Sequence, residues 1–188
     1  QMLTLMMVVR ALEGILTEKM PPVDELIGQT LEKRAQIEAV ANKYVASDEL
    51  IILARGLNLS VANEIALKLQ ETCYINARGY AISDFHHGPF ALVNKKTRIL
   101  MIAVNDHVFN DAVEMLDKVR PTGADVTLLT DDERLAGKYD SVLLPKAEES
   151  LMPFSCVAAG QLMSCLLSVM RGINPDKPRG LNKVTVTK

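Results

Sequence analysis

The sequence predicts a doubly wound α/β domain, in which helices cover both faces of a parallel sheet. Four short, continuous apolar runs are typical of strands buried on both faces; they span residues 50–54, 99–104, 126–130 and 141–144. Segments with helical hydrophobic periodicity alternate with these runs. That alternation indicates a three-layer αβα architecture of the flavodoxin-like kind.

Length and composition limit the class of protein. The 188 residues suffice for one domain with a sizeable core. The formal charge of −2 and the aromatic content of 4% leave no basic stripe with stacking rings, so nucleic acid is not an expected partner. Apolar runs such as residues 5–9 are far shorter than the roughly 20 residues of a membrane span, so no membrane association is expected.

The cysteines indicate a reducing compartment. Cys73, Cys156 and Cys165 lie in apolar or helical contexts and lack metal-ligand spacing. We expect reduced core thiols, as in a cytoplasmic protein. No set of ligands at metal spacing accompanies the histidines, so neither a metal nor another cofactor is expected.

Two helices are predicted before the first strand. Residues 2–18 form a helix that is apolar nearly all round, which is typical of a buried one, and Pro21-Pro22 ends it. Residues 23–46 form one long amphipathic helix. Since neither helix follows a strand, we expect them to pack on a part of a longer polypeptide that precedes Gln1.

The remaining helices follow the strands, and the last is followed by a tail. They are predicted over residues 60–75, 108–119 and 154–170, and Gly172 to Pro175 ends the last one. The predicted organisation is therefore linking helices over 1–46, an α/β domain over 47–172 and a C-terminal tail over 173–188.

Three charged residues lie on one face of the helix predicted over 60–75. Glu64, Lys68 and Glu71 are spaced i, i+4 and i+7. One interpretation is a surface ion pair that contributes a few tenths of a kcal/mol. The other is proton-transfer chemistry at the carboxyl end of the sheet, where open α/β domains bind ligands.

The start of the same helix offers possible ligand contacts. Ser60 either caps the helix or donates, with the free backbone N–H groups, to an anion. Arg55-Gly56 directly follows the first strand, where glycine permits close approach to a ligand.

A pair of histidines stands in His86-His87-Gly88-Pro89. Adjacent side chains point in different directions, so one ring can pack while the other faces a cleft. Histidine exchanges protons near neutral pH, which suits transfer to a ring oxygen. A purely structural loop histidine is the alternative.

The C-terminal tail also has two possible interpretations. Residues 176–188 are either an ordinary frayed terminus or a docked segment, which Pro178, Arg179 and Leu181 favour. Docking would hold Lys183 beside a site.

Taken in order, these motifs resemble the sugar-isomerase (SIS) domain, specifically the second SIS lobe of the glucosamine-6-phosphate synthase isomerase family. The resemblance covers nearly the whole chain. It is carried by Ala54-Arg55-Gly56, Glu64-x-x-x-Lys68-x-x-Glu71, Tyr80, Phe85-x-His87-Gly88-Pro89, Gln161-Leu162 and Asp176-x-Pro178-Arg179-x-Leu181-x-Lys183.

The resemblance implies a set of catalytic roles. Lys183 resembles the lysine that forms a Schiff base with an open-chain ketose phosphate, and Glu71 the carboxylate that moves a proton between the first two sugar carbons. Lys68 resembles a lysine that assists these transfers. His87 resembles the ring-opening histidine, which reaches a neighbouring subunit's site. His86 stands where the family more often has Lys or Arg and is a secondary candidate.

The resemblance also implies substrate contacts and partners. Glu64, Arg55, Ser60 and Asn182 are the expected substrate-binding residues. The ligand is a phosphorylated hexose or amino sugar, and the protein is expected to form a homodimer. No Ser-x-Ser-Gly run occurs, so we expect a first SIS lobe outside this chain to supply the phosphate site. No glutaminase domain with its cysteine nucleophile lies in this chain.

Departures from the synthase pattern leave the branch of the family open. Arg78-Gly79 replaces a Glu-Ala-type pair, Asp84 a Glu, and Cys165 an aromatic residue. The tail reads Lys183-Val-Thr, which favours the synthase-like deaminases and deglycases that work without a glutaminase. Two functional hypotheses follow: isomerisation of a hexose 6-phosphate coupled to amination or deamination, or a non-catalytic SIS module that binds a phosphosugar.

Overall fold

A computed structural model of the chain describes residues 1–15 and 21–180. Its centre is a five-stranded sheet in the order β2-β1-β3-β4-β5, and every neighbouring pair is parallel. The strand order reverses direction beside β1, as in a flavodoxin-like sheet. The strands are β1 (Glu49–Ala54), β2 (Asn76–Ala81), β3 (Arg98–Ile102), β4 (Asp125–Thr130) and β5 (Asp140–Leu143).

Helices cover both faces of this sheet. Helices α2, α3, α4 and α8 lie on one side, and α5 and α6 lie on the other. The helices are α1 (Met2–Leu12), α2 (Val23–Leu31), α3 (Arg34–Lys43), α4 (Asn58–Cys73), α5 (Ile82–Phe85), α6 (Phe109–Val119), α7 (Glu133–Ala136) and α8 (Met152–Met170). The predicted doubly wound α/β class is therefore confirmed.

The alternation of side chains along β1 builds two cores. Ile52 belongs to the cluster formed with α3, α4 and α8, whereas Leu53 belongs to the cluster formed with α5 and α6. Successive residues of a strand point to opposite faces, so a continuous apolar run supplies both clusters. Each fully buried side chain of this kind contributes about 1.5–3 kcal/mol.

Helix α8 lies directly against α4. A Cβ built on Gly160 would be 2.3 Å from Ile65 Cγ1, so only glycine allows this approach. By length and hydropathy alone α8 also meets the criteria for a membrane span, and 61% of it is buried in the fold. The helix contains small and hydroxylated residues such as Ser155, Gly160 and Ser164, so its sequence is not a continuous apolar run.

Strand β2 was not expected from the sequence. Its residues, Asn76-Ala-Arg-Gly-Tyr-Ala81, lack a continuous apolar run, and β2 is an edge strand that pairs only with β1. An edge strand needs less apolar surface than a central one.

The helix predicted over residues 23–46 is two helices. It breaks between Leu31 and Arg34. Thr30 Oγ1 donates to the carbonyl oxygen of Leu26 at 2.8 Å and contacts Ser155 Oγ of α8 at 2.7 Å. Threonine bonding back to the preceding turn bends helices, and here the two pieces pack separately on α8.

Helix α1 was expected to be buried, but none of its residues is buried in the described structure. Met2 and Met6 pack against a small cluster that includes Leu26 and Phe154. Leu5 and Leu12 are 66% and 84% exposed. Its apolar composition therefore does not reflect burial within this chain.

Two of the three cysteines are buried, as expected from their sequence contexts, and one is not. All three are free thiols. Cys73 and Cys156 are buried, and burial raises the pKa of both thiols. Cys165 lies on the outer side of α8 and is exposed, so its expected place in the core was wrong.

Candidate active site

Helix α4 carries the acid–base candidates because of its hydrophobic periodicity. It begins just beyond the carboxyl end of β1 and ends just before the amino end of β2. Its buried face packs Val61, Ile65 and Leu69 into the core. The charged residues lie on the remaining, partly exposed face, as their spacing predicts.

The central feature of this face is an ion pair. Lys68 Nζ lies 2.6 Å from Glu71 Oε2, and the two side chains are 32% and 29% exposed. The hydrogen bond to Glu71 raises the pKa of Lys68, and the charges of Glu71 and Glu64 act in the same direction. Lys68 is thus held as an ammonium group beside the Glu71 carboxylate.

Glu64 connects this face to α8. Its Oε1 accepts a hydrogen bond from Gln161 Nε2 at 3.2 Å. The amide donor fixes the carboxylate one turn before Lys68. The structure therefore brings together Glu64, Lys68 and Glu71, with Gln161 as their neighbour from the last helix.

The chain after α8 contacts the end of α4. The backbone N–H of Arg179 donates to Tyr74 Oη at 2.7 Å, and the Arg179 guanidinium lies 4.6 Å from the centre of the Tyr74 ring. Tyr74 follows α4 directly, three residues after Glu71. Arg179 is therefore held at the end of α4.

The position of this face differs from the expectation. Because α4 runs antiparallel to the strands, Glu71 lies near the amino edge of the sheet, not at its carboxyl edge. At the carboxyl edge, the crevice beside β1 and β3 is nearly filled. Its space is about 10 Å³, lined by residues that include Arg55 and Asp106, and such a volume holds about one water molecule.

Arg55 and Ser60 lie at that carboxyl edge, away from Glu71. Ser60 and Glu71 are separated by 11 residues of helix, which is about 16 Å along the axis. Arg55 pairs with Asp111 of α6. Ser60 Oγ donates to the Leu57 carbonyl at 2.9 Å, so it is not a capping acceptor. Gly56 has φ +60, which a β-branched or bulky residue rarely adopts.

The histidines follow α5 and lie on the other side of the sheet from α4. The ring of His86 is half-buried, and its Nδ1 lies 3.4 Å from Lys118 Nζ. Desolvation and the Lys118 charge lower the pKa of His86. His87 is exposed. Within one chain, the structure does not bring His87 to the Lys68–Glu71 pair.

Two predicted site residues, Asn182 and Lys183, lie outside the described residues. The described residues contain no group of three or more His, Cys, Asp or Glu side chains that could hold a metal ion. Four pockets on the described part of the chain, the largest about 700 Å³, are not lined by Glu64, Lys68 or Glu71.

Sequence reasoning did not identify Tyr74. The residue reads as an ordinary aromatic near a helix end, and its contact partner is 105 residues away. The sequence feature that could have indicated this contact is Arg179 in the tail motif, because a guanidinium group stacks on aromatic rings. Tyr74 provides such a ring at the end of α4.

Residues 43–171 of the chain match the SIS-domain family. Because this match covers well over half of the sequence, the chain belongs to the SIS-domain family. Its fold is thus that of a SIS domain.

The sequence of this chain is similar to that of one enzyme from several organisms. It is 37% identical over 175 residues to glutamine–fructose-6-phosphate aminotransferase (isomerizing) of Aquifex aeolicus, covering 92% of this chain and 29% of the relative. The same enzyme of Pyrococcus horikoshii is 33% identical over 168 residues, with coverages of 88% and 28%. The chain therefore spans about three tenths of the length of these relatives.

Solved structures show the same similarity. The C-terminal domain of glucosamine-fructose-6-phosphate aminotransferase from Francisella tularensis superposes with a TM-score of 0.76 at 26% identity, covering 82% of this chain and 44% of that one. Glucosamine-6-phosphate deaminase from Thermotoga maritima gives a TM-score of 0.68 at 27% identity, with coverages of 87% and 49%. An aminotransferase and a deaminase thus share this fold and part of this sequence.

Proposed function

We propose that this chain is the catalytic second SIS lobe of a phosphosugar isomerase that acts on a hexose 6-phosphate. The reaction is aldose–ketose isomerisation coupled to amination or deamination, on substrates of the fructose 6-phosphate and glucosamine 6-phosphate type. The single observation that carries the proposal is the Lys68–Glu71 pair at the end of α4, beside the point where Arg179 contacts Tyr74.

The chemistry requires a base that shuttles one proton between neighbouring carbons. Glu71 takes a proton from one of the first two sugar carbons and returns it to the other. The Lys68 ammonium, which is hydrogen-bonded to Glu71, assists these transfers, and Glu64 positions Lys68. An acid–base pair of this type accelerates proton transfer by about 10²–10⁴-fold.

The covalent step belongs to Lys183. Its uncharged amine adds to the ketose carbonyl, water leaves, and the Schiff base that results activates the adjacent carbon for proton loss. Lys183 follows Gly180 by three residues, so the fully extended reach from Gly180 is about 11 Å. Lys183 acts at the Lys68–Glu71 pair, and Asn182 contacts the substrate beside it.

The complete enzyme needs more than one copy and more than this lobe. His87 serves the ring-opening step in the site of a neighbouring subunit of a homodimer, which fits its exposure and its separation from Glu71 within one chain. A first SIS lobe supplies the phosphate site, since this chain has no Ser-x-Ser-Gly run. Arg55 and Ser60 contact ligand at the opposite end of α4. The enzyme works in the cytoplasm.

Substitution of the proton shuttle tests the proposal. In the full-length protein, Glu71→Gln should lower kcat for isomerisation about 10²-fold or more, because the amide cannot accept the proton. The matched control is Glu38→Gln, an exposed position on α3, which should leave kcat unchanged. Retained activity in Glu71→Gln would refute the role of Glu71.

Two substrate assays separate the branches of the reaction. Ammonia release from glucosamine 6-phosphate indicates deamination, whereas formation of glucosamine 6-phosphate from fructose 6-phosphate and an amine source indicates amination. Binding of both sugars with turnover of neither would favour the non-catalytic binding module.

A further inference from the structure

Tyr74, the residue that directly follows α4, has an unusual backbone conformation. Its φ of 56 and ψ of 33 lie in the left-handed region, and it is the one non-glycine residue with positive φ among residues 1–15 and 21–180. A helix that ends in this conformation generally carries glycine or asparagine there. A bulky side chain persists in such a conformation only when its surroundings hold it.

The surroundings of Tyr74 explain why a tyrosine stands there. One residue, Arg179, contacts both the polar and the apolar parts of the side chain. The backbone N–H donates to Oη at 2.7 Å, and the guanidinium lies over the ring at 4.6 Å. A phenol offers both an acceptor and a π face, whereas glycine or asparagine at this position offers no ring.

The segment that leads to Arg179 is itself organised. Ser168 Oγ donates to the Ile173 carbonyl at 3.1 Å, and the Asp176 N–H donates to Asn174 Oδ1 at 2.9 Å. The backbone N–H of Lys177 donates to the Asn174 carbonyl at 3.1 Å. This turn returns the chain from the end of α8 to the end of α4, where Tyr74 holds it.

The two contacts lie within a short stretch of chain from the acid–base pair. Glu71 precedes Tyr74 by three residues, which is about 4.5 Å along the helix axis. Lys183 follows Arg179 by four residues, so an extended chain spans at most about 14 Å between them. The contact with Tyr74 therefore holds the chain in place four residues before Lys183.

We propose that Tyr74 is a positioning residue that docks the chain through Arg179 onto the end of α4, and that the reaction of Lys183 with substrate depends on this docking. This proposal rests on the proposed function for the role of Lys183. The docking itself rests only on the contacts of described residues. Strain in the Tyr74 backbone is retained because glycine, which would relieve it, cannot hold the tail.

A readout of docking that does not depend on activity is trypsin cleavage after Arg179 in the full-length protein, followed by mass spectrometry. Tyr74→Leu should accelerate this cleavage roughly tenfold, because it removes a hydrogen bond and a cation–π contact. Tyr74→Phe keeps the ring and should give an intermediate rate. Cleavage after the exposed Lys138, far from this contact, is the internal control and should not change.

Tyr74→Gly separates positioning from stability. Glycine relieves the left-handed backbone, so the thermal midpoint should not fall, whereas cleavage after Arg179 should accelerate as in Tyr74→Leu. In the same variants kcat and the rate of borohydride trapping on Lys183 should fall, with KM nearly unchanged, and Tyr74→Phe should restore part of both.

Each contrary result has a distinct meaning. Unchanged cleavage after Arg179 in Tyr74→Leu would overturn the docking role. Faster cleavage with an undiminished rate of trapping on Lys183 would overturn the positioning role. If wild-type protein gives neither adduct nor turnover while cleavage still responds to Tyr74, the proposed function fails, and positioning of Lys183 fails with it.

Discussion

Lys68 donates to Glu71 across 2.6 Å on the outer face of α4, and only about a third of each side chain is exposed. The pair unites an ammonium group and a carboxylate one turn before the helix ends. This relationship gives this face of α4 a defined chemistry, and it has a measurable consequence for stability.

The Lys68–Glu71 pair should stabilise the fold in a pH-dependent manner. The hydrogen bond to Glu71 raises the folded-state pKa of Lys68 above its ordinary 10.5. Its contribution is therefore fully present below pH 10.5 and is lost as the pH rises through the folded pKa. Lys68→Met should lower the free energy of unfolding by less than about 1 kcal/mol at pH 8.

Urea unfolding of wild type and Lys68→Met at pH 8 and at pH values above 10.5 measures this difference. The gap between the two proteins should narrow at the higher pH. Lys33→Met, at the residue that directly precedes α3, provides the control for the loss of a lysine. A gap of the same size at both pH values would contradict the assignment.

Mixing two inactive variants should restore activity if His87 acts in a neighbour's site. A heterodimer of Glu71→Gln and His87→Ala chains contains one site with both residues intact. Random exchange of subunits should then give about a quarter of the wild-type activity. The measurement is kcat before and after mixing under exchange conditions, and activity that stays at the level of the separate variants would place His87 in its own chain's site.

The contact between Gly160 and Ile65 should be intolerant of added volume. Gly160→Ala places a methyl group 2.3 Å from Ile65 Cγ1, and overpacking of this kind costs about 1–3 kcal/mol. Ile65→Ala in the same chain removes the colliding atoms. The double variant should therefore be more stable than the sum of the two single effects predicts, as a double-mutant cycle by urea unfolding would show. Additive losses would mean that α4 and α8 move apart instead.

Asp132 should make the fold sensitive to acid. Its carboxylate caps α7 by accepting from the N–H groups of Arg134 and Leu135, and it pairs with the Arg134 side chain at 2.6 Å. The hydrogen bond with Arg134 lowers the pKa of Asp132 from 3.8 to about 2. The stabilisation is thus present above pH 3.8 and is lost as the pH falls towards 2.

Asp132→Asn keeps a capping oxygen but removes the charge. It should lower the free energy of unfolding at pH 6 by a small amount, because the exposed Arg134 side chain limits the strength of the pair, and this cost should shrink as the pH falls through about 2. Asp132→Ala should lose the cap as well and stay destabilised at both values. A pH-independent cost in Asp132→Asn would exclude the ion pair as its cause.

The sequence predicted the sheet wherever a strand is buried on both faces. Residues 50–54 and 126–130 read as apolar runs because helices cover both of their sides. The edge strand β2 lacks that signal, since Arg78 and Tyr80 alternate with small residues. The break after Thr30 depends on Ser155, which is 125 residues away, and no local pattern carries such a contact.

The sequence predicted the part of the candidate site that lies on α4, but not the contacts between α4 and the rest of the chain. The spacing of Glu64, Lys68 and Glu71 fixes their common face, and the family resemblance assigns their chemistry. Their place at the amino edge of the sheet follows from the direction of α4, and the expectation of a carboxyl-edge site overlooked β2. The Tyr74–Arg179 contact joins distant segments, so only the folded chain reveals it.

Reductive trapping tests the Schiff-base chemistry most directly. Full-length protein saturated with fructose 6-phosphate is treated with borohydride, which reduces the C=N bond to a stable secondary amine, and peptide mass spectrometry locates the adduct. We expect the adduct on Lys183, and none in Lys183→Arg, whose guanidinium does not form a Schiff base. Saturated wild-type protein with no adduct and no turnover, or with an adduct on another lysine, would contradict catalysis through Lys183.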